Sequence, residues 1–572
     1  MRACYSGPVE TEGVGPCTAG EQACLGDASG WGPCTGEVTP APETCETDED
    51  DDCDGVANEE GEGCDCTPGE KVACYEGPEG TEDAGVCLAG ERTCGTEGAL
   101  GPCDGQVLPA LEDCDAPLDE DCDGVACSAP IWAALFGDPG AGPAAGVRAT
   151  LAVDPGGDIF AAFDFTGSIK LGETVLTSAG GRDVAIAKLQ PGGAIEWAVR
   201  IGAEQDELAG GVAVGADGNP VLFGSFYSST LTLAGTELLN DQTGSDAFVV
   251  KLAGQNGAAL WARRAGFSGN FVPGGVAVAP QGDGPLAGDV LIAGTYNGTL
   301  VCSGLSCVGG KVESTTPDGF LQRISADGST IRWTKTAAGP GNDAANAVAA
   351  GKDGTVVVVG KVVGEAAFGE QSLAATGPTD VNGFVAKLTK DGAVLWARGF
   401  GDAAAQNAGA AAASADGTIA VAGLTLGALD LGGGASLPAL GAQAFVAKLA
   451  GDGSGAWVRG YAGQHVARAV AVDAGGNVIA AGTFQGEVDF GGKAPLAAQQ
   501  TDGFLLKLDP AGEYRWARAF GGADKTDRGD AVATLPNGQV LFAGAFAGTV
   551  NFGLKDQTCA GLLDAGVGLF QP

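Results

Sequence analysis

The sequence predicts an all-β protein: a seven-bladed β-propeller closed by an N-terminal strand and preceded by two small, loop-dominated, disulfide-rich modules. Three observations support this fold class. The 572 residues include 100 glycines, fifteen of the 18 cysteines precede residue 130, and after residue 131 a tryptophan recurs every 59 to 72 residues. Abundant glycine is typical of short strands joined by tight turns. We therefore predict domains at residues 1–64, 65–130 and 131–572.

The N-terminal cysteines form a duplicated pattern. CYSGPVETEGVGPCTAGEQAC from Cys4 matches CYEGPEGTEDAGVCLAGERTC from Cys74. Each copy has too few apolar residues for a sizeable core, so cross-links must supply its stability. The sequence leaves the connectivity open, since eight cysteines allow 105 pairings. We predict disulfides at Cys4, Cys17, Cys24, Cys34, Cys45, Cys53, Cys64, Cys66, Cys74, Cys87, Cys94, Cys103, Cys114, Cys122 and Cys127, and a separate staple between Cys302 and Cys307.

The cysteine count also bears on location. The second module holds eight cysteines, from Cys66 to Cys127, whereas the first holds seven and has no counterpart of Cys66. We expect the first module to begin upstream of Met1, together with an export signal or a lipid anchor. Cysteine of this density indicates an oxidising, extracytoplasmic compartment. We predict a secreted protein or one anchored at the cell surface, with no transmembrane segment because no run of 18 apolar residues occurs.

The net charge of the chain limits the kinds of partner that it can bind. The formal net charge is -42, and residues 1–130 contain 32 acidic side chains against Arg2, Lys71 and Arg92. Such a field repels phosphate backbones and anionic lipid headgroups, so nucleic acid and anionic membranes are excluded as partners. Cations are the expected small partners of this segment.

Each module ends in an aspartate cluster with the spacing D-x-D-x-D-G. The clusters are Asp50, Asp52 and Asp54 in the first module, and Asp119, Asp121 and Asp123 in the second. In calcium loops this spacing places alternate carboxylates around one hard cation, and the glycine permits the sharp turn. The last position of such a loop does not match, because Gly61 and Pro130 stand there. We predict Ca²⁺ as the cofactor; the alternative is a solvated acidic turn beside a disulfide.

Residues 1–127, with their DxDCDG endings, resemble the metal-binding repeat named after the copper-binding protein MopE. The resemblance implies a metal-binding protein that is secreted by a Gram-negative bacterium or anchored at its outer-membrane surface. Copper itself is disfavoured, because the copper site of that family uses histidines and a modified tryptophan. These modules have no histidine and one tryptophan, Trp31. Carboxylate oxygens suit calcium better.

From residue 131 a unit of about sixty residues repeats seven times, long enough for a four-stranded blade. Its markers are the tryptophans and a strand of the type DAFVAKL, and the second strands, such as NVIAAGTF, are apolar without alternation. Strands buried on both faces have this composition. The last unit has no tryptophan strand of its own, while a surplus strand surrounds Trp132. We predict that the two ends pair to close the ring, which neither six nor eight blades would explain. The tryptophans are Trp132, Trp197, Trp261, Trp333, Trp396, Trp457 and Trp516.

The AVAVD-type strands, the AGTF turn and the DAFVAKL strand resemble the SBBP β-propeller repeats of bacterial surface proteins across residues 131–570. This resemblance implies a propeller in an extracellular setting and no particular activity.

Several recurrent residues could carry function, and for each we expect a structural role. The tryptophans are expected to pack between blades, and the lysines, such as Lys188 and Lys251, to lie at blade edges. The Asp, Asn or Gln that opens each DAFVAKL strand either caps a turn or lines a carboxylate ring.

His465 is the only histidine, which excludes histidine-based catalytic triads and multi-histidine metal centres. The insertion APQGDGPLAGDV from Ala279 lengthens one loop and is the first place where we expect a ligand.

These features favour a binding or scaffold protein rather than an enzyme. We predict a propeller that serves as a ligand or adhesion platform for an unidentified extracellular ligand, surface protein or glycan, held on a Ca²⁺-binding acidic stalk. The alternatives are a surface protein that sequesters copper or calcium, and a polysaccharide-active propeller enzyme that uses paired carboxylates. Metal titration separates the first alternative from our prediction, and a glycan-hydrolysis screen separates the second.

Overall fold

A computed structural model shows two compact units, Met1–Cys127 and Ser128–Pro572, which we describe separately. In the part of the chain that the structure describes, no helix is long and apolar enough to cross a membrane. The described residues are all of 1–572 except 26–29, 43–48, 57–65, 67–68, 79, 96–99, 111–121, 123–129, 138–147, 241–243, 266, 302–310, 375–376, 493, 523–525, 554–555 and 561–562.

The N-terminal unit consists of two small modules with the same plan. In each, a short antiparallel pair of strands carries Cys4 or its counterpart Cys74: Arg2–Cys4 pairs with Gly20–Gln22, and Lys71–Cys74 with Gly90–Thr93. A 3-10 helix spans Val9–Thr11 in the first module. Strands this short bury little, so covalent links hold the modules together.

Five disulfides lie among the described residues. Four of them form two equivalent pairs, because Cys4–Cys34 corresponds to Cys74–Cys103 and Cys17–Cys53 corresponds to Cys87–Cys122. The fifth is Cys66–Cys94. Disulfides of this density indicate an oxidising, extracytoplasmic setting. The predictions for Cys45, Cys64, Cys114, Cys127, Cys302 and Cys307 fall outside the described residues.

The prediction for Cys24 was wrong. Cys24 is exposed and forms no disulfide with any residue that the structure describes. Its counterpart in the second module, Cys94, is bonded to Cys66. The first module has no cysteine equivalent to Cys66, so the sulfur that the motif provides for Cys24 is lacking in the sequence.

We expect N-ethylmaleimide to modify Cys24 in the folded, unreduced chain, because an exposed thiol reacts whereas a disulfide does not. Mass mapping of proteolytic fragments checks this result. The label should appear on the fragment that contains Cys24 and disappear in Cys24→Ser, while Cys4 and Cys34 stay unlabelled. A fully protected Cys24 would contradict the structure.

The second unit is a ring of seven four-stranded antiparallel sheets, the blades. In the order from the innermost strand outward, the strands are Ala149–Val153, Ile159–Phe165, Asp183–Leu189 and Ile195–Ile201 in blade 1; Glu207–Val214, Pro220–Phe226, Asp246–Leu252 and Ala259–Arg264 in blade 2; Phe267–Val278, Val290–Val301, Lys311–Ile324 and Ile331–Ala338 in blade 3; Ala344–Ala350, Val356–Val363, Val381–Leu388 and Val394–Phe400 in blade 4; Gln406–Ala413, Ile419–Thr425, Gln443–Leu449 and Gly455–Ala462 in blade 5; Val466–Val472, Val478–Val488, Leu496–Leu508 and Tyr514–Phe520 in blade 6; and Arg528–Thr534, Val540–Phe546, Asp564–Phe570 and Pro130–Phe136 in blade 7.

The connection between the second and third strands forms a small hairpin in five blades and an extension of the two strands in blades 3 and 6. These hairpins pair Ser168–Leu171 with Thr174–Thr177, Thr230–Leu233 with Thr236–Leu239, Glu365–Phe368 with Gln371–Ala374, Leu429–Asp430 with Ser436–Leu437, and Thr549–Asn551 with Asp556–Thr558. The hairpin of blade 4 also joins the outer strand of blade 3. A 3-10 helix at Gln281–Leu286 lies between the first two strands of blade 3.

Closure of the ring by the N-terminal strand is confirmed. Pro130–Phe136 pairs with Asp564–Phe570 as the outer strand of blade 7, with Ala134 opposite Val567. One hydrophobic cluster then joins blade 7 to blade 1 through Phe136, Phe163 and Leu541. Because the first strand completes the last sheet, the array of blades has no open end.

The apolar second strands are buried on both faces, as predicted. Every residue of Ile159–Phe165, Pro220–Phe226 and Val540–Phe546 is buried. Each hydrophobic cluster draws on two adjacent blades, so the core lies between the sheets. A strand that contacts a neighbouring blade on each face has no solvent-exposed face, so polar residues do not alternate with apolar ones along it.

The tryptophans join each blade to the next. Six of them donate an indole N–H to a carbonyl in the turn between the third and fourth strands of the following blade, at 2.7 to 3.1 Å. A glycine with positive φ lies against the ring, as Gly512 does against Trp457, where a Cβ would approach to 2.6 Å. Trp516 has no such partner among the described residues. The corresponding turn of blade 7 is replaced by the two ends of the propeller.

Candidate functional site

The structure brings Asp50, Asp52 and Asp54 together. One side-chain oxygen from each lies within 4.8 Å of the other two. The backbone N–H of Asp54 donates to Asp50 Oδ1 at 3.0 Å and to Asp52 Oδ1 at 3.1 Å, and that of Gly55 donates to Asp50 Oδ2 at 2.9 Å. Amide donors of the loop thus fix the direction of the carboxylates.

Two features of the chain shape this loop. Cys53 has a φ of 62° and Gly55 a φ of 101°, so the backbone turns sharply between the aspartates. Cys53 is 1% exposed and its disulfide to Cys17 anchors the turn. Three convergent carboxylates on an anchored turn can hold a hard divalent cation through oxygen ligands.

The second aspartate cluster, Asp119, Asp121 and Asp123, lies outside the described residues. Within it, Cys122 is described: its φ of 60° nearly equals that of Cys53, and it is bonded to Cys87 as Cys53 is to Cys17. The covalent anchor of the first loop is therefore repeated in the second module.

The recurrent lysines lie within the blades rather than at their edges, which corrects our expectation: Lys251, Lys387, Lys448 and Lys507 are buried, and Lys188 is partly buried. Lys251 is 5% exposed and its ammonium group lies 2.7 Å from Asp217 Oδ2 in the turn that follows the inner strand. Lys188 contacts Asp158 in the same way at 2.6 Å, and Lys507 contacts Asp473 at 3.1 Å. The ammonium groups of Lys188, Lys251 and Lys507 are thus already paired with carboxylates of their own blades.

The polar residues that open the DAFVAKL strands do not line the axis, because they lie on the third strand of each blade. Asp183 accepts a hydrogen bond from Ala179 N at 2.9 Å, as a turn-capping residue does. It also forms an ion pair with Arg200 at 2.7 Å. Burial raises the pKa of Asp183, and the nearby Asp206 adds to the shift. Capping, rather than a carboxylate ring, is the observed role.

The insertion in blade 3 is held by a buried ion-pair network and is not an open ligand loop. Arg323 takes the position of the recurrent lysine and is 0% exposed. It donates to Asp283 Oδ2 at 2.7 Å and to Asp289 Oδ2 at 2.9 Å, both within the insertion, while Arg332 donates to Asp289 Oδ2 at 2.6 Å. The two aspartates of the long insertion thus balance the charge of Arg323.

His465 has a packing role. It is 1% exposed, and its ring meets that of Phe484 edge to face at 6.2 Å. Burial lowers its pKa, so the imidazole stays neutral. No general acid or base is assembled around it in the part of the chain that the structure describes.

A polar cavity lies on the propeller axis, and our sequence analysis did not predict it. Its volume is about 390 Å³, and it lies among the inner strands of all seven blades. In six blades the ladder between the first two strands skips one residue, and all six skipped residues line the cavity: Gly210, Gly274, Asn346, Gly409, Arg468 and Asp530. Such bulges re-aim a side chain. A polar residue between two small residues of an inner strand, as in AANA, ARA and GDA, is the signal that could have revealed the cavity.

The polar side chains of the cavity fall into two groups. Arg468, Asp530 and Arg148 come from the adjacent blades 6, 7 and 1. Asn346 and Asn407 come from blades 4 and 5, across the axis, and Asn346 Nδ2 donates to Asn407 Oδ1 at 2.7 Å. Three glycines in the ring of bulges leave the space between the groups open.

Comparison with known proteins adds nothing about activity. No protein family matches the sequence, and no curated protein does. Solved structures match this chain at low similarity. The Neurospora crassa Pan2 WD40 domain has a TM-score of 0.37 and 12% identity, over 75% of this chain and 90% of that one. BamB from Moraxella catarrhalis gives 0.33 and 12%, over 88% and 99%. The quinohemoprotein alcohol dehydrogenase from Comamonas testosteroni gives 0.34 and 12%, over 76% of each chain.

Proposed function

We propose that this protein is a secreted or surface-anchored binding protein of a bacterium, in which the propeller is the ligand platform and the acidic modules form a Ca²⁺-binding stalk. One observation supports the stalk most directly: Asp50, Asp52 and Asp54 converge on a turn that a disulfide anchors. Three carboxylates are too few to complete a calcium shell alone, so backbone carbonyls and water would supply the remaining oxygens.

The propeller supports the binding role because its recurrent side chains serve the blades themselves. Tryptophans, lysines and strand-opening aspartates are occupied by hydrogen bonds and ion pairs within or between blades. A rigid ring of this kind offers its loops and its axis to a partner. The resemblance to SBBP-type and MopE-type repeats supports the same proposal, and we propose that the protein has no catalytic activity.

Calcium titration of the full chain by calorimetry tests the stalk. We expect two Ca²⁺ per chain, and one after Asp52→Asn with Asp54→Asn, because neutral amides remove two charged ligands from the first loop. Asp51→Asn is the matched control: it removes one charge from the same segment, outside the D-x-D-x-D spacing, and should leave both sites.

Two results would contradict the proposal. Absence of any calcium response together with micromolar copper binding would favour metal sequestration as the main task. Turnover in a glycan-hydrolysis screen would make the propeller an enzyme.

A further inference from the structure

The axial cavity carries an excess of positive charge in a strongly acidic protein. Arg148 and Arg468 line it together with Asp530, and Arg528 lies close enough to Arg468 to act on its pKa. Asp530 already accepts a hydrogen bond from Arg528 Nε at 2.9 Å, so this ion pair is internally balanced. The guanidinium groups of Arg148 and Arg468 form no hydrogen bond or ion pair with any described residue. The chain has 72 acidic and 30 basic side chains, yet no carboxylate that the structure describes lies within ion-pair distance of these two.

Arg148 and Arg468 are both exposed to solvent. The protein around Arg468 partly desolvates its guanidinium group and so lowers its pKa, and the charges of Arg528 and Arg148 lower it further, while Asp530 acts in the opposite direction. A bulge in the ladder of blade 6 places this arginine on the axis. Like charges held together in a cleft attract an anion more strongly than a single charge on an open surface does.

A second acid near this cluster does not balance it. Asp164 is 3% exposed and accepts a hydrogen bond from Ala209 N at 2.7 Å. Burial raises its pKa to about 7, although Arg148 acts to lower it. Near neutral pH its charge is therefore incomplete, and Arg148 keeps an excess of positive charge.

The cavity also offers unused hydrogen-bonding capacity. Thr150 Oγ1 lines it and is buried without a hydrogen-bond partner among the described residues. Such a group is costly to leave unsatisfied. On the far side, Asn346 and Asn407 present amides, and Val272, Pro273 and Leu424 present apolar surface.

We propose that this cavity binds a small organic anion, whose carboxylate contacts Arg148 and Arg468 and whose uncharged body faces Thr150 and the amides of Asn346 and Asn407. Guanidinium groups bind carboxylates through paired hydrogen bonds. Arg468 and Arg148 can do so because they come from blades 6 and 1, on either side of blade 7. A cavity of about 390 Å³ accommodates a molecule the size of a single sugar acid. This site is independent of the calcium loops, so either proposal can fail alone.

Calorimetric titration of the full chain at low ionic strength tests the site with two matched probes, D-galacturonate and D-galactose, and with citrate. We expect galacturonate and citrate to bind one per chain, and galactose to bind at least tenfold more weakly because it has no carboxylate. Arg468→Gln and Arg148→Gln should each weaken galacturonate binding at least tenfold. Lys352→Gln removes the same charge from an exposed turn outside the cavity and should change nothing.

The proposal is overturned if neither carboxylate binds, if galactose binds as tightly as galacturonate, or if both arginine variants retain full affinity. Circular dichroism verifies that each variant folds. Should one arginine variant not fold, the other variant and the comparison of galacturonate with galactose still decide the question.

Discussion

Replacing Arg323 by methionine is expected to destabilise the propeller by ~3–5 kcal/mol, because it leaves the buried Asp283 without its counter-charge and the buried Asp289 with Arg332 alone. Asp283 is 2% exposed and Asp289 is 0% exposed, and both lie within hydrogen-bond distance of the guanidinium. Water cannot reach these oxygens to replace the lost donors. The midpoint of urea unfolding measures the effect.

Two variants show whether the burial of the charge is the cause. Arg332→Gln removes an arginine that also contacts Asp289 but whose side chain is 35% exposed, so we expect a clearly smaller loss. Arg323→Lys keeps the charge but loses the planar group that reaches Asp283 and Asp289 at once. Its loss of stability should therefore lie between the losses caused by Arg332→Gln and Arg323→Met. An Arg323→Met chain as stable as the unmodified protein would refute the account of the insertion given above.

The stability of the protein is expected to fall as pH rises from about 4 to about 7, because the propeller buries carboxyl groups that resist ionisation. Burial raises the pKa of Asp164 to about 7 and the pKa values of Asp343 and Asp502 to about 6. Neighbouring acids contribute as well: Asp318 acts on Asp343, and Asp527 on Asp502.

The direction follows from linkage between protonation and folding. The folded state holds these protons more tightly than the unfolded chain does, so their contribution is fully present below the pKa of an ordinary aspartate, near 4, and is lost as pH rises through the folded values. For Asp164, the difference between the two pKa values corresponds to an upper limit of ~4 kcal/mol. Thermal unfolding recorded from pH 4 to pH 8 should show this loss.

Asp164→Asn should flatten the profile. The amide oxygen can still accept the hydrogen bond from Ala209 N, and no charge appears at neutral pH. We expect little change near pH 4 and a higher unfolding temperature near pH 8. Asp327→Asn is the control, because hydrogen bonds from Ser325 and Ser329 lower the pKa of Asp327 to about 2, below this window. If Asp164→Asn keeps the slope of the unmodified chain, the carboxyl group does not titrate as described.

The ring itself followed from the sequence because each blade repeats the same local pattern. Seven tryptophan strands, uniformly apolar second strands and a surplus strand around Trp132 sufficed to predict the number of blades and their closure. Periodic signals of this kind depend on short stretches of chain, which one sequence displays in full. The cysteine duplication was visible in the same way.

Signals confined to one position proved harder to interpret. The missing partner of Cys24 followed from the module alignment, yet we still assigned it a disulfide. The lysines were placed at an edge because their aspartate partners lie about thirty residues earlier, in a turn of the same blade. The insertion of blade 3 was expected to bind a ligand, whereas its aspartates meet Arg323 about forty residues later.

The sequence by itself determined the repeat, the sheet that each repeat forms and the aspartate spacing of the loops, since all of these depend on neighbours along the chain. Tertiary structure alone decided which single residues meet. Arg148 and Arg468 are 320 positions apart, and only the closure of the ring brings blade 6, blade 7 and blade 1 to one side of the axis. The physical reason is that a closed ring converts equivalent positions in distant repeats into neighbours around one cavity, and local pattern carries no record of that meeting.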